Sequence, residues 1–203
     1  MMGHLVSGDI QEAKRTLQEI EQNCAYDNLN CVQALCHSSF NIDNILGFYG
    51  SHESIGYPIA SKCEQLYPDD WTIRSRRLGC QVSLLQSQYF KDRISKDVLR
   101  EKLLKLEEDL ASMDFNGTES DEALEMVWGL LMTLKLNVAS QDEILKMISD
   151  ANTILGKYPH FCSVVATGIQ AVNALYTNYL KDLVPHEEIE RLYKYVEMNP
   201  DYD

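Results

Sequence analysis

No run of apolar residues in this 203-residue chain approaches the roughly 20 that a bilayer-spanning helix needs. The longest, Met126 to Leu134, is already interrupted by Thr133. The leading stretch Met1-Met2-Gly3-His4-Leu5-Val6-Ser7 has no basic region followed by an apolar core, so a secretory signal is not expected. Positive charge is scarce: 18 Lys and Arg stand against 31 Asp and Glu, a net of −13. Such a surface repels phosphate backbones and anionic bilayers, so neither nucleic acid nor membrane is an expected partner. A basic protein or peptide remains open, and the acidity by itself also serves solubility.

Close cysteine pairs are missing too. Six cysteines stand at 24, 31, 36, 63, 80 and 162 without one Cys-x-x-Cys, in a chain that is not short and loop-rich. A disulfide scaffold is therefore not expected, and a reducing, cytoplasmic setting is. Cys80 and Cys162 fall in apolar helical runs, where a thiol packs as a small hydrophobe. Cys24, Cys31, Cys36 and His37 lie within 14 residues, but the cysteine gaps of seven and five differ from the two-to-four spacing of zinc ligands. No metal site is expected. Nor is there a His-Glu-x-x-His or a Gly-rich phosphate loop after a strand, so no catalytic residue, no cofactor and no enzyme are read here.

Alternating apolar and polar runs are absent, which leaves helices. Ile10, Ala13, Leu17 and Ile20 form one stripe behind Asp9 and Glu12, a capping box. A weaker helix is expected from Asn28 to Phe40, then a short one from Asp43 to Tyr49 and a loop broken by Gly47, Gly50 and Gly56. Pro58 opens a helix to Tyr67. Trp71, Leu78, Val82, Leu85 and Tyr89 step by seven, four, three and four, one face of a long helix. Ser95 caps a helix with the stripe Val98 or Leu99, Leu103, Leu106, Leu110 and Met113. After a turn at Asn116-Gly117 comes a helix from about 120 to 138, apolar nearly all round and therefore expected at the centre. Ser140 with Glu143 opens another to Lys157, a long helix runs from about His160 to Lys181, and Pro185 starts a last one to Met198. The expected fold is all-α, a single domain over 1–203 of about nine or ten helices stacked as antiparallel hairpins.

The junction Leu66-Tyr67-Pro68-Asp69-Asp70 recurs as Lys157-Tyr158-Pro159-His160-Phe161 and as Met198-Asn199-Pro200-Asp201-Tyr202. With Leu78-Gly79 and Val82, Trp128-Gly129 and Met132, and Thr167-Gly168 and Ala171, this resembles degenerate tetratricopeptide-repeat α-solenoids. The prolines are 91 and 41 residues apart, against about 34 in that family. Glycine inside a helix costs about 1 kcal/mol against alanine, so three of them point to close helix approach. The first hairpin begins at its turn, which suggests further protein alongside.

The resemblance implies a concave face built by the first helix of each hairpin. Carried over from Leu78-Gly79, it would hold Ile73, Arg76, Arg77, Cys80, Ser83 and Leu84, and from Thr167-Gly168, Ile169, Val172 and Asn173. Partner contact is expected at Arg76, Arg77, Ser83 and Asn173, the guanidinium forks clamping a carboxylate. Against this, Arg74, Arg76 and Arg77 also serve to balance Asp69 and Asp70 on a solvated face. Tyr176, Tyr179, Tyr193 and Tyr195 read first as core residues with rim hydroxyls. The expected function is a protein–protein interaction module or adaptor, with self-association as one form of it. The alternative is a ligand- or peptide-sensing regulator with a pocket between helices.

Overall fold

The computed structural model describes residues 10–48, 54–112, 118–178 and 185–199. Among the described residues there are nine helices and no strand, so the fold is all-α. They are α1 (Ile10–Gln22), α2 (Leu29–Phe48), α3 (Gly56–Leu66), α4 (Trp71–Phe90), α5 (Lys96–Ala111), α6 (Thr118–Lys135), α7 (Gln141–Lys157), α8 (Cys162–Asn178) and α9 (His186–Met198). None is long and apolar enough to cross a membrane. The chain divides into two compact units, Met1–Lys102 and Leu103–Asp203, with α5 running across the boundary.

In the first unit α2 packs against α1, α3 and α4, and α3 against α4. Every residue from Trp71 to Tyr89 is at least half-buried, so α4 is the covered helix there. Leu78, Val82 and Leu85 are at most 3% exposed, and burying each contributes roughly 1.5–3 kcal/mol. In the second unit α8 packs against α6, α7 and α9. It takes the central place expected of α6. Val127, Trp128, Leu131, Met132 and Leu134 of α6 are buried, but Thr133 faces solvent, which gives that helix a wet side.

Several helix starts follow from local chemistry. Asp70 accepts from the Ile73 N–H at 2.9 Å, and Ser95 from the Val98 N–H at 3.3 Å. Ser140 and Glu143 form the reciprocal capping box that opens α7. The pairing of Asp9 with Glu12 and the Asn116-Gly117 turn lie outside the described residues. One boundary differs from expectation: α2 does not break at Phe40 but continues to Phe48. The polar Asp43 in its middle is 3% exposed and serves a distant helix end. Its Oδ1 accepts the N–H groups of Ile55 and Gly56 at 2.9 and 2.8 Å, and its Oδ2 the Tyr57 N–H at 2.8 Å and the Ser54 hydroxyl. Asp43 thus caps α3 from another element, with a negative charge where the dipole favours one.

The repeated junctions share one backbone form. Tyr67, Tyr158 and Asn199, each before a proline, have φ/ψ of −133/69°, −129/70° and −123/71°. Proline disfavours helical geometry in the residue before it, and each helix stops there. Side chains then tie turn to turn: the Tyr67 hydroxyl donates to the Tyr26 carbonyl at 2.9 Å, and Asn199 Nδ2 to the Pro159 carbonyl at 3.0 Å. These ties span 41 and 40 residues. Taking helices in pairs, the first members begin at Ile10, Gly56, Lys96, Gln141 and His186, 46, 40, 45 and 45 residues apart. The period exceeds the 34 residues of tetratricopeptide units because α2 and α4 each run to 20 residues.

Helices approach closely at the three glycines. A Cβ at Gly79 would lie 2.5 Å from Phe40 of α2, at Gly129 3.0 Å from Ser163 of α8, and at Gly168 2.6 Å from Leu192 of α9.

Candidate binding surfaces

The positions expected to meet a partner fall in both units, and each is described within its own. On α4 of the first unit, Arg77 is committed inside the protein. Its Nε and Nη2 donate to the two Glu64 oxygens at 2.8 and 3.2 Å, and its Nη1 donates to Gln81 Oε1 at 2.8 Å. Its side chain is 13% exposed, so the pair is shielded from much of the solvent that weakens surface ion pairs. Arg74 reaches the same carboxylate at 3.8 Å and lies 5.3 Å over the Trp71 ring. The arginines therefore balance Glu64 of α3 more than Asp69 or Asp70. Half-buried Arg76 stacks 5.3 Å from the Phe40 ring. Ser83 is 2% exposed, and its hydroxyl has no hydrogen-bond partner among the described residues. Ile73 and Cys80 are buried as well, whereas Leu84 is half-buried.

The second unit has an open groove. Ile169, Val172 and Asn173 of α8 form one wall, and Ile189, Leu192 and Tyr193 of α9 the other. The three α8 positions are those the repeat pattern at Thr167-Gly168 marks. The α9 wall was not legible in the same way, because nothing local says that Ile189 and Tyr193 face Asn173. Gly168 lets the helices meet below the groove, where Leu192 is 1% exposed. Tyr193 is 59% exposed and Tyr176 42%, so these tyrosines are surface residues and not core. The floor of the unit is fixed by Asn152 of α7, whose Nδ2 donates to the Glu188 carbonyl at 2.9 Å and to its Oε2 at 2.7 Å.

Cys162 also departs from expectation. It is exposed, because as the first residue of α8 it lies at the helix end and not on its packed stripe. Its thiol lies 3.6 Å from the His160 carbonyl and 3.8 Å from Asn199 Oδ1. Cys36, Cys63 and Cys80 are buried, and Cys24 and Cys31 half-buried. Burial, and then the Asp43 carboxylate, push the Cys80 thiol far up from its usual range. Among the described residues no three of His, Cys, Asp and Glu are placed to hold a metal ion.

No family model, no curated protein and no solved structure matches this chain.

Proposed function

We propose that this chain is a cytoplasmic protein–protein interaction module, a tetratricopeptide-like adaptor without enzymatic activity, that takes a partner segment in the groove between α8 and α9. The observation that carries the reading is the groove itself: five apolar or aromatic side chains around one amide, with Tyr193 standing out at the rim. Aromatic residues with a polar tip are the side chains that dominate binding energy at interfaces. The partner we assign is a peptide or helix with an aliphatic or aromatic anchor and basic flanks. Its basic flanks would meet the exposed Glu187, Glu190 and Glu197 of α9, which outnumber Arg191 and Lys194, on a chain of net −13. Asn173 would hydrogen-bond the peptide backbone. The groove opens to solvent and is not an enclosed cavity, which favours the module over a ligand-sensing regulator.

The test is selection of binders from a displayed random-peptide library. Anchored, basic-flanked peptides should be enriched, and Tyr193→Ala and Ile169→Glu should weaken them by about tenfold or more, or roughly 1.4 kcal/mol, with helical content unchanged. Binding that ignores both substitutions and responds to Arg76→Glu would move the partner face to α4. A light-scattering mass of twice the 23.2 kDa chain, abolished by Tyr193→Ala, would make a second copy the occupant.

A further inference from the structure

The two units hold the same helix arrangement, filled in one and open in the other. Tyr67 and Asn199 end α3 and α9 with the same backbone form, 132 residues apart, and α2 and α8 begin 133 residues apart. In that register Leu35 and Ala60 correspond to Gly168 and Leu192, where α8 meets α9. Burial follows it too: Val32, Leu35 and Ser39 of α2 are buried, and so are Val165, Gly168 and Val172 of α8. Ala34 and Ser38 are more open than Thr167 and Ala171, which continue the side of α8 that Ser163 turns to Glu125 of α6. The opposite departure marks the groove. Cys36 and Phe40 are buried, whereas their counterparts Ile169 and Asn173 are half-buried and exposed. In the first unit α4 covers these positions. Gln33 Nε2 donates to Asp70 Oδ2 at 2.9 Å, the Cys36 thiol donates to the Ile73 carbonyl at 3.5 Å, and Phe40 meets Gly79. The partners rise together along the two chains, so α4 runs parallel to α2. Among the described residues no helix takes that place on α8 and α9.

We infer that the groove seats one α-helix of a partner protein, amphipathic and flanked by arginine or lysine, parallel to α8 and antiparallel to α9, in the place that α4 holds in the first unit. The inference rests on the groove reading above and adds the conformation and direction of what binds. An extended segment needs a row of backbone partners, and the groove offers only the Asn173 amide. A helix closes its own backbone bonds and brings a stripe of side chains instead. α4 is the guide to the charge: it carries three arginines and no acid, on a chain of net −13. The match also says where the partner differs from α4. In the first unit Glu64 of α3 holds Arg77 in a forked pair. Its counterpart on α9 is half-buried Val196, one turn beyond Tyr193, so the partner helix carries an aliphatic residue at that position. Its basic residues lie to the side, toward exposed Glu190 and Glu197.

The probe is a 20-residue peptide of the α4 sequence, Trp71 to Phe90, with Arg77→Leu to meet Val196 and Cys80→Ala to exclude disulfides, titrated into the full chain. Binding should add helical ellipticity beyond the sum of the separate spectra. It should weaken about tenfold or more in Tyr193→Ala and Ile169→Glu chains, and be lost when Leu78→Pro breaks the peptide's helix. The peptide that keeps Arg77 should bind more weakly. A photo-crosslinker on the peptide's first residue should label the start of α8 around Ala166 and not Tyr176. Groove-dependent binding without gained helix, or labelling at Tyr176, overturns the inference and leaves the module standing. Failure of this probe while library peptides bind at the groove has the same meaning, and failure of both removes the module as well. Binding that ignores Tyr193→Ala and Ile169→Glu means exchange with the chain's own α4 and overturns the inference. A doubled mass that the probe reduces to that of one chain seats a second copy in the groove and overturns the partner assignment.

Discussion

Replacing Asp43 removes the group that closes the start of α3 from inside α2. In the wild type its two oxygens take four donors, and Gly56, one of them, is fully covered. Asp43→Ala leaves the Ile55 and Gly56 N–H groups without an acceptor, while Tyr57 keeps the Ser54 hydroxyl at 2.9 Å. An unsatisfied buried donor costs about 1–3 kcal/mol, and Ile55 is half-buried, so the sum is about 3–4 kcal/mol. Asp43→Asn keeps one acceptor oxygen but turns an NH₂ toward Tyr57 and Ser54, a loss of about 2 kcal/mol. Against a total stability of roughly 5–15 kcal/mol, both are readable in urea unfolding. The pH dependence sharpens the test. Burial raises the carboxyl above its usual 3.8, and the bonds from Ser54, Gly56, Ile55 and Tyr57 only partly pull it back. The folded state therefore binds the proton more tightly than the unfolded chain. Asp43 then contributes stability that is full below 3.8 and is lost as pH rises through the raised folded value. The advantage of wild type over Asp43→Asn should shrink as pH climbs through that window toward neutrality. An advantage that grows with pH there would refute the dominance of burial, and an Asp43→Ala cost below about 1 kcal/mol would refute the capping role.

Two further perturbations test the packing. At Gly56 an added Cβ would lie 2.1 Å from the Ser39 carbonyl oxygen, part of the backbone, whereas at Gly168 it would meet the movable end of Leu192 at 2.6 Å. Gly56→Ala should therefore cost more than about 3 kcal/mol and Gly168→Ala about 1–2 kcal/mol, the order of the two being the check in thermal unfolding. Arg77→Ala breaks the forked pair with Glu64 and the bond to Gln81 and should cost about 1–2 kcal/mol, while Arg74→Ala should stay within about 0.5 kcal/mol. Equal losses at the two arginines in urea titrations would contradict the geometry at Glu64.

The parts of the fold that were legible are those fixed by neighbours in sequence. Ser95, the Ser140–Glu143 box and the Leu99–Leu103–Leu106–Leu110 stripe each act within one or two turns of helix, so α5 and α7 could be read directly. The continuation of α2 could not. Asp43 reads as the start of a separate short helix, and the carboxylate that justifies burying it is satisfied 11 to 14 residues downstream. The groove was half legible for the same reason: the repeat spacing marks Ile169, Val172 and Asn173, but Ile189 and Tyr193 enter only through tertiary packing.

The ties between successive turns bear on how the chain is made. A ribosome adds about 5–20 residues per second, so a stretch of about 40 takes seconds to emerge, while chains rich in local contacts fold in microseconds to milliseconds. The bond from Tyr67 back to Tyr26 becomes available once its own turn has left the exit tunnel, long before Asn199 has been translated. Within each unit a later turn can thus tie onto one that was synthesised before it.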